Sequence, residues 1–493
     1  MLNLLDKSGL NKLNMLHILD ETEQILSIDD ISLKLNLDKR TVHSIIGSIQ
    51  NDIVELGAPI IIKYVKKDNL IVLEKNDDFN LQIFILFYLK ESLNFNLCTT
   101  LFNNTFTTSV QFSKSNYVSL STLKKKSENL KKLLKSFDLT LALNTNNLIN
   151  GEEKQIRHFY FYFFWTSYKT TEWPFKEINF KEIKKYVYKH IEPSYSFSFT
   201  DIYKFILGLS ISINRIKQGY IINHKPIYTK VKNSNIPFDD FHLLIASILA
   251  EFGITDNEII QLESEFLYFS ISLLGIFPIQ NYTNLNLTHL QLDSIEDSTK
   301  YVNFWITEFC SFFSITISVS EYHYLEANLL ILFNKILYLK GPSSNFGILI
   351  SEDQLIENYP YYFENMNSFI HHLNKFKYFK KINQSDNYLI DYYVLFVWQI
   401  LKKMRPKLKI AVQSSFSLLH VDILKDDIIT LSPVPLLFSS DITSDTTLII
   451  TDVAVPEEFS LGKEVFIWNT FPTKKQFNLL KYKLVEKYKK QFP

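Results

Sequence analysis

Between Ser27 and Val54 the apolar positions change rhythm, and the change divides the stretch into two helices and a turn. Ile28, Ile31, Leu33 and Leu35 follow Ser27, a residue type whose hydroxyl caps helix N-termini. Asn36-Leu37-Asp38 interrupts the pattern; Leu37 fits the inside of a turn, and Asp38 is suited to cap a second helix. Val42, Ile45, Ile46, Ile49 and Ile53 then recur at spacings of three and four, one apolar stripe along that helix. Lys39, Arg40, Thr41, His43 and Ser44 take the polar positions of its first turns. This is a helix-turn-helix pattern, whose second helix enters the DNA major groove with its first turns against base edges. A plain helical hairpin has the same pattern, so the flanks must decide. Upstream, Leu10, Leu13, Leu16, Ile18 and Leu19 predict a helix across the pair. Downstream, Ile60–Val65 and Leu70–Leu73 enclose the polar Lys66-Lys67-Asp68-Asn69 and predict a hairpin. Three helices and a hairpin make a winged helix-turn-helix over residues 1–76, with Lys66 and Lys67 at the wing tip for phosphate contact.

The order repeats over residues 77–150. Phe79, Ile83, Phe84, Phe87 and Leu93 predict one helix, and Leu97–Phe102 another short one. Val110 and Phe112 belong to a third, and Tyr117-Val118 to a turn. Ser119 or Ser121 then caps a helix whose apolar face is Leu123, Leu130, Leu133 and Leu134. Its other face carries Ser121, Thr122, Lys124, Lys125, Lys126, Lys131, Lys132 and Lys135. Leu139–Leu143 and Leu148–Ile149 predict a second hairpin around Asn144-Thr145-Asn146-Asn147.

Charge separates the two units. Residues 1–75 hold nine Lys/Arg against eleven Asp/Glu, so the first has no electrostatic footprint of its own. From Lys114 to Lys135 seven lysines face one acid, Glu128, a net of +6 in a chain whose formal charge is zero. A lysine-rich helix is often only a solvated face. Here it falls where a recognition helix belongs, which favours phosphate contacts and counterion release.

At Gly151 the character changes to GEEKQIRHFYFYFFW, acidic at its start and then almost wholly aromatic. With two tandem helix-turn-helix units, the GEEKQIRHF segment at Gly151–Phe159 directly after the second wing, and a long helical region beyond, the chain resembles the Mga-like family of Gram-positive transcriptional (virulence) regulators. That resemblance implies a mainly α, multi-domain protein. Two winged helix-turn-helix domains would be followed by two phosphotransferase-regulation helical bundles, at 151–285 and 286–405, and by a small α/β domain like enzyme IIB at 406–493.

The residues agree with that plan. Helical patterns recur at Glu153–Tyr168, Phe180–Tyr188, Phe199–Lys217, Phe238–Phe252 and Asp256–Leu274, then at Ile295–Ser314, Ser320–Leu339, Glu352–Phe376 and Tyr388–Lys403. In the resembled family, histidines of such bundles receive phosphate from the phosphocarrier protein of the sugar phosphotransferase system. The doubly negative group then shifts an interface. The matching candidates are His190 and His224 in the first bundle, and His323, His371 and His372 in the second; taken singly, each reads more readily as an ordinary surface or core histidine. In the last domain Leu408–Val412 predicts a buried strand, Ser415–Val421 a helix, Ile428–Thr430, Thr447–Thr451 and Glu464–Trp468 further strands, and Thr473–Lys489 a final helix. Enzyme IIB domains carry a phosphorylated cysteine after the first strand. Here the loop is Gln413-Ser414-Ser415, so the resemblance implies association of protomers, a dimer through this domain, rather than phosphoryl transfer. No His–Asp arrangement is visible in the sequence to activate Ser414 or Ser415.

Composition excludes several other classes. Two cysteines, Cys98 and Cys310, are too few for a disulfide framework or a cysteine-rich zinc site, and no metal or cofactor is expected. No glycine pattern cradles a phosphate. The N-terminus lacks a signal-peptide pattern and no apolar run reaches eighteen residues, so a cytoplasmic, non-enzymatic protein with no membrane partner is expected. Double-stranded promoter DNA is the expected partner. Two alternatives remain: an RNA-binding antiterminator, which also carries phosphotransferase-regulation bundles but begins with a β-rich domain, and a component of the phosphotransferase relay itself.

Overall fold

Helix caps and apolar stripes set most element boundaries. The computed structural model describes residues 1–21, 26–65, 70–144, 148–190, 198–223, 238–273, 296–341, 360–385 and 389–492. It is mainly helical and separates into two compact units. One comprises Met1–Leu355 with Asn367–Tyr392; the other comprises Ile356–Met366 with Tyr393–Pro493.

The larger unit begins with α1 (Lys7–Glu21), β1 (Leu26–Ser27), α2 (Ile28–Leu35), α3 (Lys39–Leu56), β2 (Ile60–Val65) and β3 (Leu70–Lys75). β2 and β3 pair antiparallel as expected, Ile62 opposite Leu73. The two-residue strand β1 also pairs with β3, Leu26 opposite Ile71, an addition too short to leave a sequence pattern. α4 (Gln82–Glu91), α5 (Leu93–Phe102), α6 (Ser109–Ser115), α7 (Leu120–Ser136) and the short hairpin β4 (Thr140–Leu141) and β5 (Ile149–Asn150) come after them. Gly151 then turns the chain with φ of +152°, and a Cβ there would collide with the Leu139 side chain. That backbone conformation, which side chains rarely adopt, together with the close approach favours glycine at the head of the aromatic segment.

That segment is α8 (Glu153–Tyr168), and every side chain from Gln155 to Tyr168 is buried. A helix apolar all round is one packed on all sides. On one flank Phe163 meets Phe95, with ring centroids 4.9 Å apart, and Phe164 meets Phe102 at 4.8 Å. On another, α10 (Phe199–Lys217) and α12 (Asn257–Leu273) close over it, with α9 (Phe180–His190) and α11 (Phe238–Glu251) completing the group. At its N-terminal end Gln155 Nε2 donates to the Tyr338 carbonyl (3.1 Å), at the end of α14 (Val319–Tyr338), and Gln155 Oε1 accepts from Lys340 N (3.1 Å). α13 (Glu296–Phe312) packs against α14. One continuous buried core runs from Leu4 to Leu339.

Helices at Pro360–Leu373, Lys377–Ser385 and Leu389–Met404 come next. The single helix expected through Phe376 instead ends at Leu373. Asn374–Phe376 forms the turn before a separate helix, with Phe376 N bonded to the Leu373 carbonyl (3.0 Å). The start of that expectation, at 352, lies outside the described residues.

The smaller unit contains a parallel sheet in the order β7-β6-β8-β9, from β6 (Leu408–Val412), β7 (Leu436–Ser439), β8 (Leu448–Thr451) and β9 (Glu464–Ile467). Ile428–Thr430 is not a strand. It is the last part of a helix spanning Leu418–Leu431, in which Val421, Leu424 and Ile428 share the buried face. β-Branched residues read as strand locally, but helical spacing onto a sheet overrides the local preference. Among the described residues no helix is long and apolar enough to cross a membrane.

Candidate nucleic-acid interface

The first helix pair is fixed by reciprocal caps. Ser27 Oγ accepts from Asp30 N (3.1 Å) while the Asp30 carboxylate accepts from Ser27 N (3.0 Å), the capping box of α2. Asn36 closes the helix in the left-handed region at φ of +52°, and Leu37 N returns to the Ser32 carbonyl (3.0 Å). Asp38 caps α3 by accepting from Thr41 N (2.9 Å) and the Thr41 hydroxyl (2.7 Å), bonds that hold its carboxyl below the usual carboxylate range.

The second pair repeats this geometry. Tyr117 takes the place of Asn36 at φ of +54°, Val118 N returns to the Ser113 carbonyl (3.0 Å), and Ser119 caps α7 by accepting from Thr122 N (3.0 Å). The turn is the same although the residue types differ.

The polar residues named from the sequence divide by what already engages them. Arg40, His43 and Ser44 are exposed on α3. The Arg40 guanidinium has no ion-pair partner among the described residues. His43 stands edge-on to Tyr64 of β2, 5.3 Å between ring centroids, so the wing orients it. Lys39 is paired with Asp29 at 2.5 Å, and Thr41 is occupied as a capping donor. Lys66 and Lys67 lie outside the described residues. On α7, Ser121, Lys124, Lys125, Lys132 and Lys135 are exposed on one face. Ser119 and Thr122 are tied into the cap (2.8 Å between hydroxyls), and the Ser121 hydroxyl lies at the same distance from that of Ser119. Lys126 is turned to Asp6 at 2.9 Å, and Lys131 to Glu128 at 2.7 Å, a bond that lowers the Glu128 pKa.

A buried joint ties the first pair to α1 and to α4 of the second unit, and its residues gave no signal in the sequence. Asp52 of α3 is 7 % exposed and accepts from Lys12 of α1 and from Tyr88 of α4, each at 2.8 Å. Burial and the Asp52 carboxylate together push the Tyr88 hydroxyl pKa up. Gln50 of α3 also donates to the Ile62 carbonyl of the wing (3.0 Å).

Behind these pairs lies a charge cluster. Arg157 of α8 is 2 % exposed and Glu263 of α12 is 0 % exposed. Arg157 donates to both Glu263 oxygens, to Glu153 (2.9 Å), to Ser212 (3.2 Å) and to the Tyr220 carbonyl (3.0 Å). Burial acts to lower its pKa, and the carboxylates of Glu263 and Glu153 outweigh burial and raise it. Arg215 adds two bonds to Glu153, at 2.8 and 2.6 Å. A cavity of about 40 Å³ lies beside Arg157, between Ser212, Ser270 and Phe266.

The histidines are dispersed. His190 ends α9, and His224 lies outside the described residues. His323 is half-buried with Nδ1 3.3 Å from Glu326. His371 is exposed, whereas its neighbour His372 directs Nε2 to Glu308 at 2.8 Å.

In the smaller unit the loop after β6 corrects the sequence reading, because Ser414 does meet a histidine and an aspartate. Its Oγ is 2.9 Å from Asp452 and 3.0 Å from His420 Nδ1. Burial works to raise the Asp452 pKa, but the Ser415 amide and the Ser414 and Ser415 hydroxyls outweigh it and keep it low. The one Ser414 proton therefore goes to the carboxylate, and the hydroxyl accepts from the imidazole. Activation of a serine nucleophile needs the carboxylate behind the imidazole, so this arrangement latches the loop rather than activating it.

Residues 77–164 match the Mga helix-turn-helix domain. The chain is 24% identical over 226 residues to a protein of Streptococcus pneumoniae serotype 4 named as a trans-acting regulator, covering 45% of this chain and 44% of that one. It is 23% identical over 299 residues to the capsule synthesis positive regulator AcpA of Bacillus anthracis, 60% of each chain. The matches thus span about half the length of these relatives.

Proposed function

We propose that this chain, which belongs with the Mga-like regulators, is a transcriptional regulator that binds duplex DNA through two winged helix-turn-helix domains, residues 1–76 and 77–150. The observation that carries the reading is one turn geometry occurring twice, each time placing a solvent-facing polar helix beyond it. α3 offers Arg40, His43 and Ser44, suited to base edges, with Arg40 the residue for a bidentate contact to guanine. α7 offers Lys124, Lys125, Lys132 and Lys135, suited to phosphates.

The helical regions at 151–285 and 286–405 are the regulatory part in this reading, coupling phosphotransferase status to DNA binding. His371 suits phosphate transfer from a phosphocarrier protein best, because it is exposed. The Ser414 latch and the lack of a cysteine support a role in association, as a dimer, for residues 406–493. The protein would act in the cytoplasm, without cofactor or catalysis.

The direct test is binding of the intact protein to a duplex it selects from a random library, compared with hairpin RNA. Tight, sequence-dependent duplex binding and weak RNA binding are expected. Equal or tighter binding of the RNA would favour an antiterminator, and binding to neither would contradict the proposal.

A further inference from the structure

At the centre of the exposed face of α3 there is no side chain. Arg40, His43, Ser44 and Asn51 mark that face, and Gly47 falls between them at helical spacing. Three observations make the glycine informative. A Cβ built on Gly47 meets nothing within 4 Å, so no packing excludes a larger residue. Its backbone is ordinary right-handed helix inside an 18-residue element, so no special conformation demands it. Apart from proline, glycine is the poorest residue for a helix interior, so its presence costs the fold stability without helping it.

The second unit supplies an internal comparison. Counting from the N-caps, Asp38 to Gly47 and Ser119 to Glu128 are both nine residues, so Glu128 of α7 occupies the same station. Glu128 is exposed and paired with Lys131. The architecture thus accepts a full side chain there, and the glycine at that station is particular to α3.

Resting on the DNA-binding reading above, we propose that Gly47 is where the main chain of α3 seats directly against DNA in the major groove. It would be a positioning residue that sets how deeply Arg40, His43 and Ser44 reach. Bare backbone is what a helix needs at a point of close approach, and a methyl group would hold the whole helix away. α7, with Glu128 at that station, would ride higher and grip phosphates through its lysines.

The test compares Gly47→Ala with the unsubstituted chain, using thermal melting and affinity for the selected duplex. The two readouts should move in opposite directions. Melting should rise by about 1–3 °C because alanine favours the exposed helix, while affinity should fall by about tenfold or more. Glu128→Ala should not reproduce that loss. Unchanged or improved affinity in Gly47→Ala would overturn the proposal, and if Arg40→Ala then still abolished sequence preference, the DNA-binding reading would stand without it. A fall in both melting and affinity would reveal a folding role and overturn it. A change in oligomer mass on Gly47→Ala would identify a subunit contact and overturn it as well. If the wild-type chain bound no duplex, both readings would fail together.

Discussion

His158 shows how position alone changes a residue's chemistry. It lies on α8 at the start of the aromatic run, fully enclosed, and burial followed by the Lys335 charge pushes its pKa down to about 3. In an unfolded chain the imidazole titrates near 6.5. Between about pH 6.5 and 3 the unfolded state therefore binds a proton that the native state refuses. Stability from this group is complete above about pH 6.5 and is lost as pH falls through that window. From about pH 7 to pH 5 the loss attributable to it should be about 2 kcal/mol. Urea unfolding at both pH values should show that loss in the wild type and a smaller one, by about that amount, in His158→Gln. Equal losses would mean that His158 is hydrated or charged in the native protein.

Among the elements α8 governs most of the larger unit, and the sequence announced it through its aromatic run and abrupt start. Its boundaries, and those of α10, coincide with those expected from the sequence. The caps Ser27, Asp38 and Ser119 were equally readable, because capping is local chemistry. Long-range partners were not. Nothing near Asp52 points to Tyr88, and nothing near Arg157 points to Glu263, 106 residues away. The strand expected at Ile428–Thr430 failed for the same reason, since its helical face is defined by a sheet formed elsewhere. Similarly, Ser414 meets Asp452 only once β6 and β8 lie side by side. The Arg157 cluster makes α8 sensitive to single changes. Removing one partner leaves a buried, uncompensated charge, so Arg157→Met should cost about 3–5 kcal/mol in chemical denaturation. Pairing it with Glu263→Gln should recover part of that loss. A cost below about 1 kcal/mol for Arg157→Met alone would show that the cluster is solvated and contributes little.

For the whole molecule, the larger unit joins α4 and α5, the helices that lead into the second helix-turn-helix pair, to the helical region behind them through direct hydrogen bonds. Gln82 of α4 donates to the Ser167 carbonyl (2.7 Å), and Gln218 donates to the Phe102 carbonyl (2.8 Å). In the proposed reading these bonds, with Tyr88 and Asp52, give the route by which a change on α8 would reach α4 and then α3. Because the formal net charge of the chain is zero, the proposed DNA affinity would come from local patches, and the proposed division of that work between α3 and α7 is one that salt can resolve. The decisive measurement is the dependence of duplex affinity on salt concentration for the wild-type protein, Lys124→Ala/Lys125→Ala and Arg40→Ala. The double lysine variant should weaken binding to all duplexes alike and reduce the magnitude of the log–log slope by about 2. Arg40→Ala should change the slope by no more than about 1 while erasing preference for the selected sequence. An unchanged slope in the lysine variant, with sequence preference intact in Arg40→Ala, would contradict the assignment of these two helices to DNA.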